Sequence, residues 1–262
     1  MKIKFIGTGS GLTSLDRYHS SFLITSLDHK LLVDCGDGIS RALLNQYVDY
    51  NSINSIIISH LHADHYAGLP SLITQMKLAG RKEKLSLYIH KSEIEFIEQF
   101  LQHSYLFTER LSFELEIIPF SEEGKINITE LFSFVSKCNS HLEKYLGNKT
   151  SVKLSYVSLS FLFKDQDNSL IYSGDLGSDD DLFLFDEKVD WLITEITHID
   201  PRSIIKLIDK NSAKQIIITH IDKISDDLLA IMDDNYKSTA DSPKFIIALD
   251  GLELNHYRSG CL

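Results

Sequence analysis

The sequence predicts a layered α/β fold. Short runs rich in β-branched residues recur along the chain, and stretches with helical spacing of apolar residues lie between them. No internal repeat, low-complexity tract or Pro/Gly/Ser-rich linker interrupts the pattern, so residues 1–262 are expected to form a single domain.

The elements follow in chain order. Lys2–Ile6, Ser21–Ser26 and Lys30–Val33 read as strands, with Asp28 and His29 at the hairpin turn between the last two and Gly36–Gly38 ending the third. Ile39–Tyr47 reads as a helix, with Ile39, Ala42, Leu43 and Val48 as its apolar positions. Ile53–Ile58 is an apolar strand that stops at Ser59. Pro70 suits the first turn of a helix running to Leu78, where its missing N–H is no loss. Leu85–Ile89 and Phe113–Pro119 read as strands on either side of a helix from Ser92 to Gln102. Further strands are expected at Leu131–Val135, Leu154–Phe163, Leu170–Tyr172, Trp191–Thr194, Gln215–Thr219 and Phe245–Leu249. The acidic run Asp179-Asp180-Asp181 is placed to open a helix near Leu182, where negative charge meets the positive end of the dipole.

Composition narrows the function classes. A hydrophobic share of 43%, a charged share of 24% and only four prolines describe a folded globular chain. The apolar runs are strand-sized, far short of the roughly 20 residues that span a bilayer. The lysine-flanked start is too short to be a signal segment, so the expectation is a cytoplasmic protein with no membrane partner. Three cysteines without CxxC spacing suggest neither a disulfide framework nor a thiolate zinc site. The formal charge of −11 opposes long-range attraction of a polyanion, which disfavours RNA as a partner. A homodimer is compatible with the composition.

The chemistry concentrates in six residues, His60-Leu61-His62-Ala63-Asp64-His65, directly after an apolar strand. A His-x-His pair in extended backbone projects both imidazoles to one side, so His60 and His62 can share an ion. Asp64 and His65 follow at a strand-to-helix turn, where they can serve a second ion. Three single candidates, His141, Asp175 and His220, each follow a strand-like run, and Gly174 lets the backbone turn sharply before Asp175. Imidazole and carboxylate without thiolate suit zinc, with manganese or iron as alternatives, and Asp175 is a natural bridging carboxylate.

These residues resemble the metallo-β-lactamase superfamily, whose signature is HxHxDH followed by single His, Asp and His ligands in that order. The likeness extends to Phe5-Ile6-Gly7-Thr8-Gly9-Ser10, Leu32-Val33-Asp34-Cys35-Gly36 and Ala248-Leu249-Asp250-Gly251. It implies an αββα four-layer sandwich with two divalent metal ions at one edge of the sheets. The N-terminal segment and Gly68-Leu69-Pro70 look most like the ribonuclease Z and cyclic-nucleotide phosphodiesterase branch. By that resemblance His60, His62 and His141 hold one ion, Asp64, His65 and His220 the other, and Asp175 bridges. Asp64 also orients the attacking water. Glu195 matches an acidic residue that assists proton transfer in ribonuclease Z, and His198, three residues on, is the candidate to complete a proton relay.

The resemblance implies hydrolysis by metal-activated hydroxide, most simply of a phosphodiester in a small anionic substrate or nucleotide. The rival readings are a tRNA 3′ endoribonuclease of ribonuclease Z type, and an ester, thioester or lactone hydrolase on the same site. Only 34 positions separate His141 from Asp175, little room for a tRNA-gripping arm, and Ala63 replaces the glycine usual inside the motif. From other classes, a diiron redox protein would replace a motif histidine with glutamate, and a non-catalytic binder would have lost a ligand. Neither change is present.

Other conspicuous residues are expected to be structural. His19, His29, His90, His103 and His256 stay outside the metal set, since a lone histidine is usually packed or solvated. Gly7-Thr8-Gly9-Ser10-Gly11 lacks the GxGxxG spacing of a dinucleotide loop and is read as a tight turn leading to the site edge. Asp34 and Asp37 are read as turn and capping residues. Substrate choice is assigned to the segments Lys77–Lys84, His103–Leu111 and Lys144–Lys149.

Overall fold

The structure is a computed structural model that describes residues 1–122, 124–209, 212–222 and 244–255. Its first half builds β1 (Lys2–Gly7), β2 (Ser21–Ser26), β3 (His29–Val33), α1 (Ile39–Asn45), β4 (Ser55–Ile57), α2 (Ala63–Tyr66), α3 (Leu69–Leu78), β5 (Leu85–His90), α4 (Ile94–His103) and β6 (Leu115–Phe120). The second half supplies β7 (Ile126–Asn127), β8 (Ser133–Cys138), β9 (Leu159–Lys164), β10 (Ser169–Tyr172), β11 (Val189–Thr194), α5 (Ser203–Asp209), β12 (Ala213–Ile218), β13 (Lys244–Ile247) and β14 (Glu253–Asn255).

The strands form two seven-stranded mixed sheets, ordered β14-β1-β2-β3-β4-β5-β6 and β13-β12-β11-β10-β9-β8-β7. In the first, β3 to β6 run parallel and the β14-β1-β2-β3 side is antiparallel. In the second, β10 to β13 run parallel and β7 to β10 are antiparallel. The parallel strands of both sheets carry the loops that bear most of the candidate ligands.

The period-2 alternation of strand side chains divides each apolar strand between two cores. Phe5, Phe22, Val33, Ile57, Phe161, Tyr172, Ile193 and Ile217 point into the layer between the sheets. Their neighbours Ile6, Leu23, Leu32 and Ile56 face the opposite way, against Ala42 and Leu43 of α1, Leu72 and Met76 of α3, and Ile97 and Leu101 of α4. On the far side, Ile171, Leu192, Ile216 and Ile218 pack under Ile204 and Leu207 of α5. The layers are therefore helix, sheet, sheet, helix, the expected αββα sandwich.

Several boundaries differ from the sequence reading, each for a local reason. The β2–β3 turn is Leu27-Asp28, with Leu27 left-handed at φ 52°, so His29 pairs with Ser26 as the first residue of β3. Helix α1 stops at Asn45 because Tyr47 is left-handed at φ 56° and the Val48 N–H closes on the Leu43 carbonyl. The strand expected from Leu154 begins only at Leu159, since Tyr156 at φ 57° breaks the extended run. The expected helix near Leu182 is a 3-10 turn over Asp179–Phe183. Strands β7 and β14 and helix α5 went unpredicted.

Candidate metal centre

The candidate ligands arrive from both sheets at one edge. After β4 a bend at Ser59 leads to His60, which forms an isolated bridge to Ser158 just before β9 and so ties the two sheets together. His62 is extended (φ −79°, ψ 143°) where it caps α2, and the turn of α2 carries Asp64 and His65. His141 follows β8, Asp175 follows β10 and His220 follows β12. Gly174 is left-handed at φ +61°, and a Cβ there would stand 2.5 Å from the Leu159 carbonyl oxygen, so the turn into Asp175 requires glycine.

Two clusters result, and they share Asp175. In the first, His60, His62, His141 and Asp175 bring their donor atoms within 4.8 Å of one another; in the second, Asp64, His65, Asp175 and His220 do the same. His141 Nε2 is 3.1 Å from His62 Nδ1 and 3.6 Å from Asp175 Oδ2, and His60 Nε2 is 3.8 Å from the same oxygen. His65 Nε2 is 3.4 Å from Asp64 Oδ2 and 3.3 Å from Asp175 Oδ1. His220 Nε2 is 3.1 Å from Asp64 Oδ2 and 3.2 Å from Asp175 Oδ2. Bonds of about 2.0–2.2 Å to one ion leave its ligands roughly 3–3.5 Å apart, so these spacings suit shared cations. Buried His60 Nε2, His65 Nε2 and Asp175 Oδ1 have no hydrogen-bond partner among the described residues. Buried polar atoms are costly to leave unpaired, and a divalent ion in each cluster would satisfy them.

A surrounding layer fixes the rings. Asp34, fully buried and left-handed at φ 60°, accepts hydrogen bonds from the Ser59 N–H (2.7 Å), Ser59 Oγ (2.9 Å), Tyr172 Oη (2.9 Å) and His65 Nδ1 (2.8 Å). With the Nδ1 proton directed at Asp34, His65 turns the Nε2 lone pair into the cluster. His141 Nδ1 is held likewise, donating to the Leu176 carbonyl at 3.1 Å. Asp181 joins the loops of His141 and Asp175: it accepts from the Ser140 Oγ (2.7 Å) and N–H and from the N–H groups of Gly177 (2.9 Å) and Ser178 (3.1 Å). Glu195, buried at the end of β11, accepts from the Leu176 N–H (3.0 Å), the Thr197 N–H, the His198 N–H (3.0 Å) and His198 Nδ1 (3.1 Å). His198 is exposed, and its ring lies 4.7 Å from that of His141 and 5.6 Å from that of His220.

The electrostatics differ between the clusters. Burial pulls His60 well below its ordinary value, lowers His62 and brings His141 down to about 4, so the first cluster is a set of neutral imidazoles. Burial acts on His65 and His220 in the same direction. It is outweighed at His65 by Asp175 and Asp34, and at His220 by Asp175 and the Asp64 hydrogen bond, which raise both. Burial likewise opposes the charge on Asp64 and Asp175, but the surrounding histidines hold both carboxylates well below their usual range.

Residues 1–204 match the family described as anti-Pycsar protein Apyc1. This chain belongs to that family. Among curated relatives, ribonuclease Z of Methanosarcina mazei is 38% identical over 100 residues, 38% of this chain and 33% of that protein. Ribonuclease Z of Bacillus mycoides is 34% identical over 144 residues, 54% of this chain and 46% of that protein. The Apyc1-family chain thus spans about a third to a half of the length of these relatives. In three dimensions it is similar to the metallo-β-lactamase fold protein YhfI of Bacillus subtilis, with a TM-score of 0.75, 21% identity, and 97% and 99% of the two chains covered. Human tRNase Z, short form, gives 0.69 at 20% identity over 97% and 99% of the chains, and a diphosphatase of the PhnP family gives 0.66 at 19% over 98% of each. The resemblance to the metallo-β-lactamase superfamily and its ribonuclease Z and phosphodiesterase branch is borne out.

In this Apyc1-family chain the structure brings together all seven candidate ligands and sets Glu195 and His198 beside them. The turn of Gly7–Gly11 does reach the site edge, where a Cβ on Gly11 would lie 3.5 Å from Asp64 Oδ2. His19, His29, His90 and His103 each have a hydrogen-bond partner outside the clusters, and His256 lies outside the described residues. Asp34 is the residue the sequence reading undervalued: it is no surface turn residue but the buried anchor of His65. Its neighbours Ser59 and Tyr172, and Asp181 across the site, were also missed as supports. No helix among the described residues is long and apolar enough to cross a membrane.

Proposed function

We propose that this chain is a binuclear metal-dependent phosphodiesterase acting on small anionic phosphodiesters, with nucleotides, cyclic ones included, as the first class to examine. The observation that carries the reading is the pair of ligand clusters sharing Asp175, with buried ligand atoms that have no hydrogen-bond partner among the described residues and that a cation would satisfy. His60, His62 and His141 would hold one divalent ion and Asp64, His65 and His220 the other, zinc being the metal best suited to this donor set and manganese or iron the alternatives. Such ions would lower the pKa of a bound water and offset negative charge building on phosphorus.

The protein's own groups do the rest. Asp64, part-exposed and kept ionised, turns Oδ2 to His65 and His220 in the second cluster, where besides holding an ion it would orient the attacking water. With Nδ1 anchored on Glu195 and its ring beside those of His141 and His220, His198 is the group placed to hand a proton from Nε2 to the departing oxygen. Glu195 has both oxygens engaged with the chain, and it acts through His198 and through the Leu176 N–H beside Asp175. A tRNA-processing role is less favoured. The positions between His141 and Asp175 are filled by a 3-10 turn at Glu143–Tyr145, a loop, β9 and β10, with no projecting arm. The fold neighbours include a protein described as a diphosphatase and another as yeast PDE1, which fits chemistry at phosphorus.

The test is a panel of bis-p-nitrophenyl phosphate, cyclic mononucleotides, a precursor tRNA, p-nitrophenyl acetate and a thioester, assayed with the metal-loaded protein. Turnover of phosphodiesters above esters supports the proposal. Preference for the ester or thioester moves the same site to acyl chemistry, and specific cleavage of the tRNA restores the endoribonuclease reading.

A further inference from the structure

Among the segments expected to govern substrate choice, one lies against the metal centre. Lys144 and Tyr145 sit on the 3-10 turn of Glu143–Tyr145, three and four residues after His141, and the turn is closed by the Tyr145 N–H on the Leu142 carbonyl at 3.0 Å. Tyr145 places its ring 5.8 Å from that of His62, at 88° to it, yet 39% of the residue remains open to solvent. The Lys144 ammonium stands 5.3 Å from the centre of the Tyr145 ring.

We propose that Lys144 and Tyr145 form a nucleotide-binding subsite on the rim of the metal centre, the ammonium taking a phosphate oxygen and the tyrosine ring taking the base. This deepens the phosphodiesterase reading and rests on it for the placement of the phosphate. A lysine ammonium is a compact point charge suited to a phosphate oxygen. An aromatic face accepts any base by stacking, so the subsite selects for a planar ring joined to a phosphate rather than for one base. Because the chain carries a net charge of −11, a local cation here also offsets the repulsion an anionic substrate meets on approach. Tyr145 recognises the ground state and the transition state alike, so its contribution appears in KM and in ligand affinity rather than in kcat.

The experiment measures equilibrium binding of thymidine 5′-monophosphate and of methyl phosphate to the metal-loaded protein, alongside hydrolysis of thymidine 5′-(p-nitrophenyl phosphate) and methyl p-nitrophenyl phosphate. Metal content is determined on every sample. Tyr145→Ala is expected to weaken the thymidine ligand and raise KM for its ester about tenfold while leaving kcat and both methyl compounds within twofold, and Tyr145→Phe to behave as wild type. Lys144→Met is expected to weaken all four, with partial recovery in Lys144→Arg. If Tyr145→Ala weakens thymidine and methyl compounds equally, or lowers metal content, the ring merely supports His62 and the proposal is overturned. Unchanged thymidine binding in Tyr145→Ala overturns it as well. If neither ester is hydrolysed but the thymidine preference exists and depends on Tyr145, the subsite stands and the phosphodiesterase reading falls.

Discussion

Asp34 and Cys138 show how one contact sets the behaviour of a side chain. Asp34 directs His65, so Asp34→Asn, which keeps the shape but loses the charge, is expected to weaken the second cluster's metal affinity about 10- to 100-fold. Metal titration with a competing chelator measures it. Unaltered affinity would mean that packing alone orients His65. Partial burial of the Cys138 sulfur and its hydrogen bond to Glu122 Oε1 at 2.9 Å push the thiol up to about 12. A raised thiol value favours the protonated form in the fold, and that stabilisation is present below the ordinary value near 9 and lost as pH rises toward 12. Thiolate is the reactive form, so alkylation of the Cys138 peptide by iodoacetamide at pH 8.5 is expected to run more than about tenfold slower than for a free thiol. Glu122→Ala is expected to recover part of the rate, the burial contribution remaining, as mass spectrometry of the peptide would show. At this scale the sequence was legible wherever chemistry restricts the residue type, as at His60, His62 and Asp175. It was opaque at Asp34, because an aspartate before a glycine turn reads the same whether it caps the turn or is buried beneath a histidine.

At the scale of elements, strands were legible where alternation and apolar content coincide. Strands β2 and β10 bury nearly every residue, β12 buries all but Lys214 and Gln215, and all three were read within a residue or two of their ends. The two residues of β7 and three of β14 are too few to show a period, and the seven of α5 cover barely two helical turns. The loss of Leu154–Ser158 from β9 depends on a left-handed Tyr156, which no propensity signals. The inter-sheet layer depends on its aromatic cluster. Phe161 is fully buried with its ring 5.8 Å from that of Phe134 and 5.5 Å from that of Phe163, so Phe161→Ala is expected to cost about 3–5 kcal/mol in urea unfolding. A loss below about 1 kcal/mol would show that the layer collapses around the gap. His198 lies on the loop after β11, and His198→Ala is expected to lower kcat about 100-fold with an alkoxide leaving group but far less with p-nitrophenolate, which leaves without a proton. Equal loss on both would remove it from the relay.

For the whole molecule, the two sheets deliver seven donors to one edge, and burial and carboxylates divide them into a neutral set and a charged one. In the metal-free protein His60, His62 and His141 are lowered, so they bind an ion near pH 6.5 without giving up protons. His65 and His220 are raised, so protons compete with metal at the second cluster, and its affinity is expected to climb with pH by about tenfold per unit for each proton displaced. Calorimetric titration in buffers of different ionisation enthalpy counts those protons; equal release at both steps would contradict the division. The αββα order was legible because the motif, the strand spacing and the resemblance agreed. The supports around the site were not, since Asp34 and Tyr172 join it through contacts distant in sequence, and Asp181, beyond its local capping of the turn after Ser178, reaches Ser140 forty-one residues away. The most direct measurement of the central claim is metal content by mass spectrometry together with hydrolysis of bis-p-nitrophenyl phosphate, for the wild-type chain and Asp175→Ala. The account predicts two ions per chain, falling to at most one in the variant, with turnover reduced about a thousandfold or more. A wild-type chain that binds no ion under any loading condition, or an Asp175→Ala chain that keeps two ions and full turnover, would contradict it.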